Sequence, residues 1–218
     1  MKHRFLNNKI NKFIFFSTIL LSLFVLYIIF EQLNTDIDKV LQWPILYYHL
    51  PLAINTFFAY SIVTIFSIIY IRTNNEIWDT RAYCIAEVGT LYCFLVLVTG
   101  SIWAKLNWGV YWSWEPRLVS TFLLFILYLI YFMIRKFGGH YEKSSKLAAV
   151  VSILAFIDIP IIYFAVDMWS PEVQLHPQRD IKASDPMITA VLPVAILSFT
   201  SLLLLLSLYR LHLEKECE

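Results

Sequence analysis

Ten consecutive residues, Trp108–Arg117, combine three tryptophans, a tyrosine, an acid and an arginine. Tryptophan rings offer large flat contact areas, and a guanidinium can bind a carboxylate through two hydrogen bonds. Two histidines, His49 and His176, lie far from this stretch, and the imidazole ring is a common iron ligand. Together these residue types indicate a site for a large flat ligand with anionic edges and a metal at its centre.

Two simpler interpretations of these residues stay open: an aromatic belt at the membrane surface, and a helix whose polar residues only cap it or pair with each other. An aromatic belt at a membrane surface explains one or two aromatic residues per helix end, but not four between positions 108 and 114. If the stretch is helical, Trp108 and Trp112 share a face, Ser113 caps the next helix and Arg117 can pair with Glu115. A haem uses tryptophan faces, a basic residue and two histidines, whereas a zinc site generally needs a third protein ligand.

Six long apolar runs must position these residues. Of the 218 residues 59% are hydrophobic and only 15% are charged, which excludes an ordinary soluble domain. Each run is long enough to cross the hydrocarbon core as a helix, for which about 20 residues are needed, and none alternates like a barrel strand. The sequence predicts an all-α integral membrane protein, one six-transmembrane-helix bundle over residues 1–218. The runs cover 13–30, 52–71, 83–103, 118–134, 147–166 and 188–209.

The distribution of basic residues predicts the orientation of the bundle. With a cytoplasmic amino terminus, twelve of the 17 lysines and arginines fall on the cytoplasmic side, so we expect both termini there. The outer segments are then 31–49 with His49, the tryptophan-rich loop 104–117, and 167–186 with His176. An uncleaved first helix favours a bacterial inner membrane, with the site facing the periplasm, over the mitochondrial inner membrane.

Two acidic residues lie inside predicted helices. Intramembrane acids are candidates for function, but we interpret Glu87 and Asp158 as hydrogen-bonded structural groups. Pro160 follows Asp158 by two residues, and its ring is expected to bend the fifth helix.

The segment from Val98 to Leu118 resembles the WWD signature of haem-handling membrane proteins, and is most similar to the CcmC family. Tyr48-His-Leu-Pro before the second helix, Ile159-Pro-Ile-Ile in the fifth, and Leu175-His-Pro support the same resemblance. It covers nearly the whole chain.

The resemblance implies a haem b site with two axial histidines, which are His49 and His176 here. Three departures from the family pattern stand out: Glu115 replaces its usual Asp, Tyr111 replaces an aromatic that is often Trp, and the interval from Trp169 to His176 is longer. The motif positions expected to bind haem are Trp108, Gly109, Tyr111, Trp112, Trp114, Glu115 and Arg117.

The resemblance also implies a function without a reaction of its own. Such proteins hold haem at the outer face and present it to a CcmE-type haem chaperone, together with the CcmA–CcmB transporter and a small CcmD subunit. The lipid bilayer is the other expected partner, and no nucleic acid is expected. The alternatives are a small CcsA-like synthetase that attaches haem directly to apocytochrome c, and a carrier that moves haem through its own bundle.

Overall fold

A computed structural model describes residues 5–35, 42–169, 175–176 and 186–217. Within these ranges the regular structure is helical, and six spans are long and apolar enough to cross a membrane, which confirms the predicted all-α bundle. The fifth span is divided into two helices. The helices are α1 (Lys9–Thr35), α2 (Gln42–Thr73), α3 (Glu76–Trp108), α4 (Pro116–Phe137), α5 (Tyr141–Phe156), α6 (Asp158–Met168) and α7 (Pro186–Cys217).

The helices extend beyond the apolar runs from which they were predicted. α2 begins at Gln42, ten residues before the apolar run, so His49 lies within a helix and not in a connecting loop as predicted. Hydropathy marks only the hydrocarbon layer, whereas the backbone hydrogen bonds of a helix continue into the polar interface. The prediction was therefore wrong about the segment that carries His49.

The fifth span is interrupted where Pro160 removes a backbone donor. A proline at 160 cannot donate to the carbonyl of Phe156, four residues earlier, and α5 ends at Phe156. The amide of Ile157 instead donates to the carbonyl of Leu154 at 3.1 Å, and α6 begins at the buried Asp158. Pro160 was expected to bend the fifth helix, and the structure divides this span into two helices just before it.

The core lies between α2, α3, α4 and the divided fifth span. Tyr60 of α2 and Tyr128 of α4 stack with centroids 3.6 Å apart, and small residues such as Ala82 and Ala148 allow close helix packing. α1 packs mainly against α7. We call the end of the bundle where α3 ends and α4 begins the site end, and the other the opposite end.

Parts of two predicted outer segments lie outside the described residues, namely 36–41, 170–174 and 177–185. His49, Leu175 and His176 are described. Which end of the bundle faces the cytoplasm stays a prediction.

Candidate functional site

Residues 109–115 connect α3 to α4 and form an irregular aromatic segment at the site end. Gly109 ends α3 in the left-handed region with φ +76°, a conformation that side chains disfavour, and its amide donates to the Lys105 carbonyl at 3.1 Å. Because the helix stops there, Trp108 and Trp112 do not share the face that a helical stretch would have given them. The irregular segment is also shorter than the predicted 104–117.

The start of α4 corrects a second expectation. Glu115, not Ser113, is the residue that precedes the first turn, and Pro116 is the first helical residue. A residue before proline is driven towards extended backbone, and Glu115 has φ −72° and ψ 151°. The Glu115 side chain makes no capping hydrogen bond, so it is available for another contact.

Glu115 binds the distant His176. Its carboxylate is buried, with 2% of the residue exposed, and Oε1 lies 2.6 Å from His176 Nδ1. The backbone amides of Leu175 and His176 donate to Oε2 at 2.8 and 3.0 Å. One carboxylate therefore fixes both the ring and the backbone of His176.

These contacts keep Glu115 ionised at neutral pH. Burial alone raises the pKa of Glu115, but the hydrogen bonds from the His176 ring and from the two backbone amides outweigh it and leave the pKa below its usual value. A depressed carboxyl pKa contributes stability that is present above the unfolded-state pKa and is lost only as the pH falls through the lower folded-state pKa. The contact is therefore kept throughout the neutral range.

Two tryptophans enclose the His176 ring. Trp103 lies at 5.7 Å between centroids and Trp108 at 5.6 Å, and these two tryptophans pack edge to face at 5.1 Å. Trp103 precedes Trp108 by five residues, which is not a same-face spacing on a helix, so the local spacing did not indicate this arrangement.

His49 is held by α3 through two residues that the sequence did not single out. Its Nδ1 lies 3.0 Å from Thr99 Oγ1, and this hydroxyl donates its own proton to the Leu95 carbonyl at 2.7 Å. Gly100 faces the same ring, because a Cβ there would lie 3.0 Å from His49 Cε1. Glycine at 100 thus allows the ring to pack directly on the α3 backbone.

Both histidines line one cavity at the site end. Its walls come from α2, α3, α4 and α6, and most are apolar, while Arg117 and Trp112 line the same space. The full lining is His49, Ala53, Thr56, Phe57, Val96, Leu97, Gly100, Ser101, Trp112, Arg117, Leu118, Thr121, Leu124, Ile162 and His176.

The other predicted aromatic residues lie outside this cavity. Trp114 is 81% exposed and Tyr111 is 62% exposed, with Lys105 Nζ 5.3 Å from the Tyr111 ring centroid. Trp112 contacts Trp114 and Phe122 edge to face at 5.9 and 6.0 Å. The structure therefore separates an inner group around the two histidines from an exposed aromatic surface.

The donor set of the site is a pair of imidazoles. Within the described ranges, no three His, Cys, Asp or Glu side chains gather in a way that could hold a metal ion by themselves. Two imidazoles are sufficient only where the other ligands come with the metal.

The family model and the similar proteins found by comparison agree on one family. A family model described as heme exporter protein C, CcmC, matches residues 2–216. Heme exporter protein C of Haemophilus influenzae is 31% identical over 188 residues, 83% of this chain and 75% of that protein. Its namesake in Bradyrhizobium diazoefficiens is 28% identical over 172 residues, 79% and 65% of the respective chains.

A ccmC-like mitochondrial protein of cytochrome c biosynthesis from Marchantia polymorpha is also similar. It is 30% identical over 136 residues, which cover 62% of this chain and 57% of that protein. The chain thus spans somewhat less than two thirds of the length of the Bradyrhizobium and Marchantia relatives. The match over residues 2–216 places the sequence in one family: the chain belongs to the CcmC, or heme exporter protein C, family.

Proposed function

We propose that this protein binds haem as its cargo at the site end, with His49 and His176 as the two axial ligands of the iron. The observation that carries the proposal is that these histidines, from opposite halves of the sequence, line one cavity. Each ring is held through Nδ1 by a group that belongs to a different helix or segment.

The hydrogen bonds at Nδ1 favour the same ring tautomer at both histidines. The Thr99 hydroxyl already donates to a carbonyl, so it accepts from His49 Nδ1–H. The ionised Glu115 carboxylate can only accept, so it accepts a hydrogen bond from His176 Nδ1–H. In a neutral ring the lone pair then lies on Nε2, which is the atom that would bind iron. Such acceptors fix the orientation of metal-binding histidines and raise their basicity.

The chemistry of the remaining lining suits a haem better than a bare metal ion, but the cavity measures only about 50 Å³ and would have to widen to enclose the macrocycle. Apolar side chains such as Phe57, Val96 and Leu97 suit the body of a macrocycle, Trp112 supplies an aromatic wall, and Arg117 can bind a propionate. Iron in a porphyrin needs only two further ligands, which matches the pair of imidazoles. We assign haem b as the cargo on this basis.

The names of the relatives support a role in cytochrome c biosynthesis by haem export. We assign this chain the handling step: it holds haem and passes it to a CcmE-type chaperone, together with CcmA, CcmB and a CcmD-like subunit, and catalyses no reaction itself. The excess of basic residues at the opposite end supports a cytoplasmic opposite end, with the site facing the periplasm of a bacterial inner membrane.

The ligand assignment is tested by haem titration of purified protein in detergent, monitored in the Soret region. His49→Ala and His176→Ala are each expected to lose the bis-histidine spectrum and to bind haem at least about 100-fold more weakly. This exceeds the loss expected when only the hydrogen-bond partner of a metal ligand is removed. His140→Ala is the matched control, because His140 is exposed at the opposite end. Unchanged affinity and spectrum in both site variants would show that the ligands are wrong.

The handling role is tested by expression with an apocytochrome c and without a CcmE-type chaperone. We expect haem-loaded protein but no covalent haem on the cytochrome until the chaperone is supplied. Covalent haem on the cytochrome without the chaperone would identify the protein as a synthetase instead.

A further inference from the structure

A second cavity forms an open groove at the opposite end, between α3, α4 and α7. It lies far along the bundle from His49 and His176 and shares no lining residue with their cavity. The groove is lined by Glu76, Ile77, Thr80, Arg81, Tyr83, Glu87, Thr90, Leu91, Phe94, Phe125, Leu129, Phe132, Arg135, Lys136, Tyr141, Leu211, Glu214 and Lys215.

The polarity of the groove changes along its length. On α3 the charged Arg81 and Glu87 are followed, towards the middle of the membrane, by Leu91 and Phe94. α4 runs the other way and shows the same order in reverse, with apolar residues from Phe125 to Phe132 before Lys136. The groove is therefore charged at the membrane surface and apolar in the interior.

The length of the groove corresponds to one leaflet. Its lining extends over 19 residues of α3 and 12 residues of α4, and the 18 and 11 rises of 1.5 Å between their ends are about 27 and 16 Å of helix. Half of a bilayer, including its headgroups, measures about 20–22 Å. A partner transmembrane helix would need a surface through both leaflets, whereas a lipid needs only one.

The charged end has a surplus of positive charge. Arg135 is neutralised by Asp79, and Arg210 lies between Glu87 and Glu214. In the described part of the chain, none of the other three basic lining residues takes part in an ion pair. Glu76 and the second of the two carboxylates on Arg210 oppose them, so the surplus is one positive charge. The three basic residues are Arg81, Lys136 and Lys215.

We propose that this groove binds an anionic glycerophospholipid of the leaflet at the opposite end. The phosphate lies among Arg81, Lys136 and Lys215, and an acyl chain lies along Phe94 and Leu129. Basic groups at the membrane surface attract anionic headgroups, and the surplus charge distinguishes this site from the general lipid contact of any membrane helix. The proposal is independent of haem binding, because the two cavities share no residue.

Native mass spectrometry of protein taken from vesicles of equal phosphatidylglycerol and phosphatidylethanolamine tests this site. The triple variant Arg81→Gln, Lys136→Gln, Lys215→Gln is compared with Lys12→Gln, Arg72→Gln, Lys143→Gln, which removes three exposed basic residues that do not line the groove. Wild type is expected to retain phosphatidylglycerol preferentially. Each groove substitution should weaken its retention about fivefold, while the control triple stays close to wild type.

A photoreactive side chain at Leu129 distinguishes the possible occupants. Capture of phospholipid supports the proposal, whereas capture of a polypeptide in native membranes would show a partner helix and overturn it. Equal loss of phosphatidylglycerol in both triple variants, or no preference in wild type, would overturn it as well. If the groove triple does not fold, the single variants Lys136→Gln and Lys215→Gln are measured against Lys143→Gln by the same criterion.

Discussion

The two ends of the bundle each bury one carboxylate and satisfy it with three hydrogen bonds. At the opposite end Asp79, 2% exposed, accepts from the Arg135 guanidinium at 2.6 and 2.8 Å and from the Tyr141 hydroxyl at 2.9 Å. At the site end Glu115, also 2% exposed, accepts from the His176 ring and two backbone amides. A buried carboxylate needs such partners in either place.

The two ends differ in whether the hydrogen-bond donors keep an atom that could bind a metal. Arginine and the tyrosine hydroxyl bring no neutral nitrogen that could bind a metal, so the Asp79 network only joins α3, α4 and α5. A histidine that donates through Nδ1 keeps a lone pair on Nε2. A buried carboxylate with three hydrogen bonds therefore joins helices at one end and supports a proposed metal ligand at the other. We call the Asp79 network the clamp. Substitutions at the two carboxylates should accordingly separate stability from haem binding.

The largest expected effect is on stability, from Asp79→Ala. Removal of this carboxylate leaves the Arg135 charge buried without its partner, which should lower the unfolding free energy by about 3–5 kcal/mol. Thermal unfolding in detergent measures the loss. The folded fraction should keep the haem affinity of wild type. A stability loss no larger than that of the exposed control Glu142→Ala would contradict the clamp.

The next effect is on haem, from Glu115→Ala. Without its acceptor the His176 ring can rotate, and loss of such a partner typically weakens metal binding about 10–100-fold. Haem titration measures the affinity, and the reduction potential of the bound haem reports the changed ligand. Glu115→Asp keeps an acceptor on a shorter chain and should restore part of the affinity. If Glu115→Ala melts far below wild type and binds haem normally, the comparison between the two ends fails.

Much of the fold follows from local sequence, because hydropathy and proline act over a few residues. Six apolar runs predicted six spans, and Pro160 predicted a bend in the fifth span, which the structure divides after Phe156. The boundaries were less accurate, since α2 continues ten residues beyond its apolar run and carries His49 inside a helix. Gly109 was the local signal for the end of α3, but the prediction placed the start of the connecting loop at 104, where the apolar run ends.

The partners within the site could not be read from the sequence in the same way. Glu115 and His176 are 61 residues apart, and nothing in either local pattern indicates the other. Arg117 was considered as the partner of Glu115 because it is two residues away, whereas the carboxylate is satisfied from the Leu175–His176 segment. The local sequence around Thr99 and Gly100 does not indicate His49 as their neighbour. Only the packing of α2 on α3 shows that they face its ring.

Gly100→Ala tests whether haem binding depends on the position of the His49 ring, as it is expected to depend on that of the His176 ring. The added Cβ would lie 3.0 Å from His49 Cε1, so the ring must move or leave its preferred rotamer, at a cost of about 0.5–1.5 kcal/mol. Haem affinity should therefore fall roughly 2–12-fold by titration. Val98→Ala, on an exposed position of α3, is the control. Equal affinities in the two variants would show that contact with α3 does not position His49.

The smallest expected effect divides the tryptophans, which the sequence treated as equivalent. Trp112 lines the cavity with the histidines, whereas Trp114 is 81% exposed and contacts Trp112 only at its edge. Trp112→Leu keeps much of the apolar area but removes the flat ring, which should cost about 0.5 kcal/mol, or roughly a twofold loss of haem affinity. Trp114→Leu should leave the affinity unchanged. If Trp114→Leu has the larger effect, the haem lies against the exposed aromatic surface and not within the cavity.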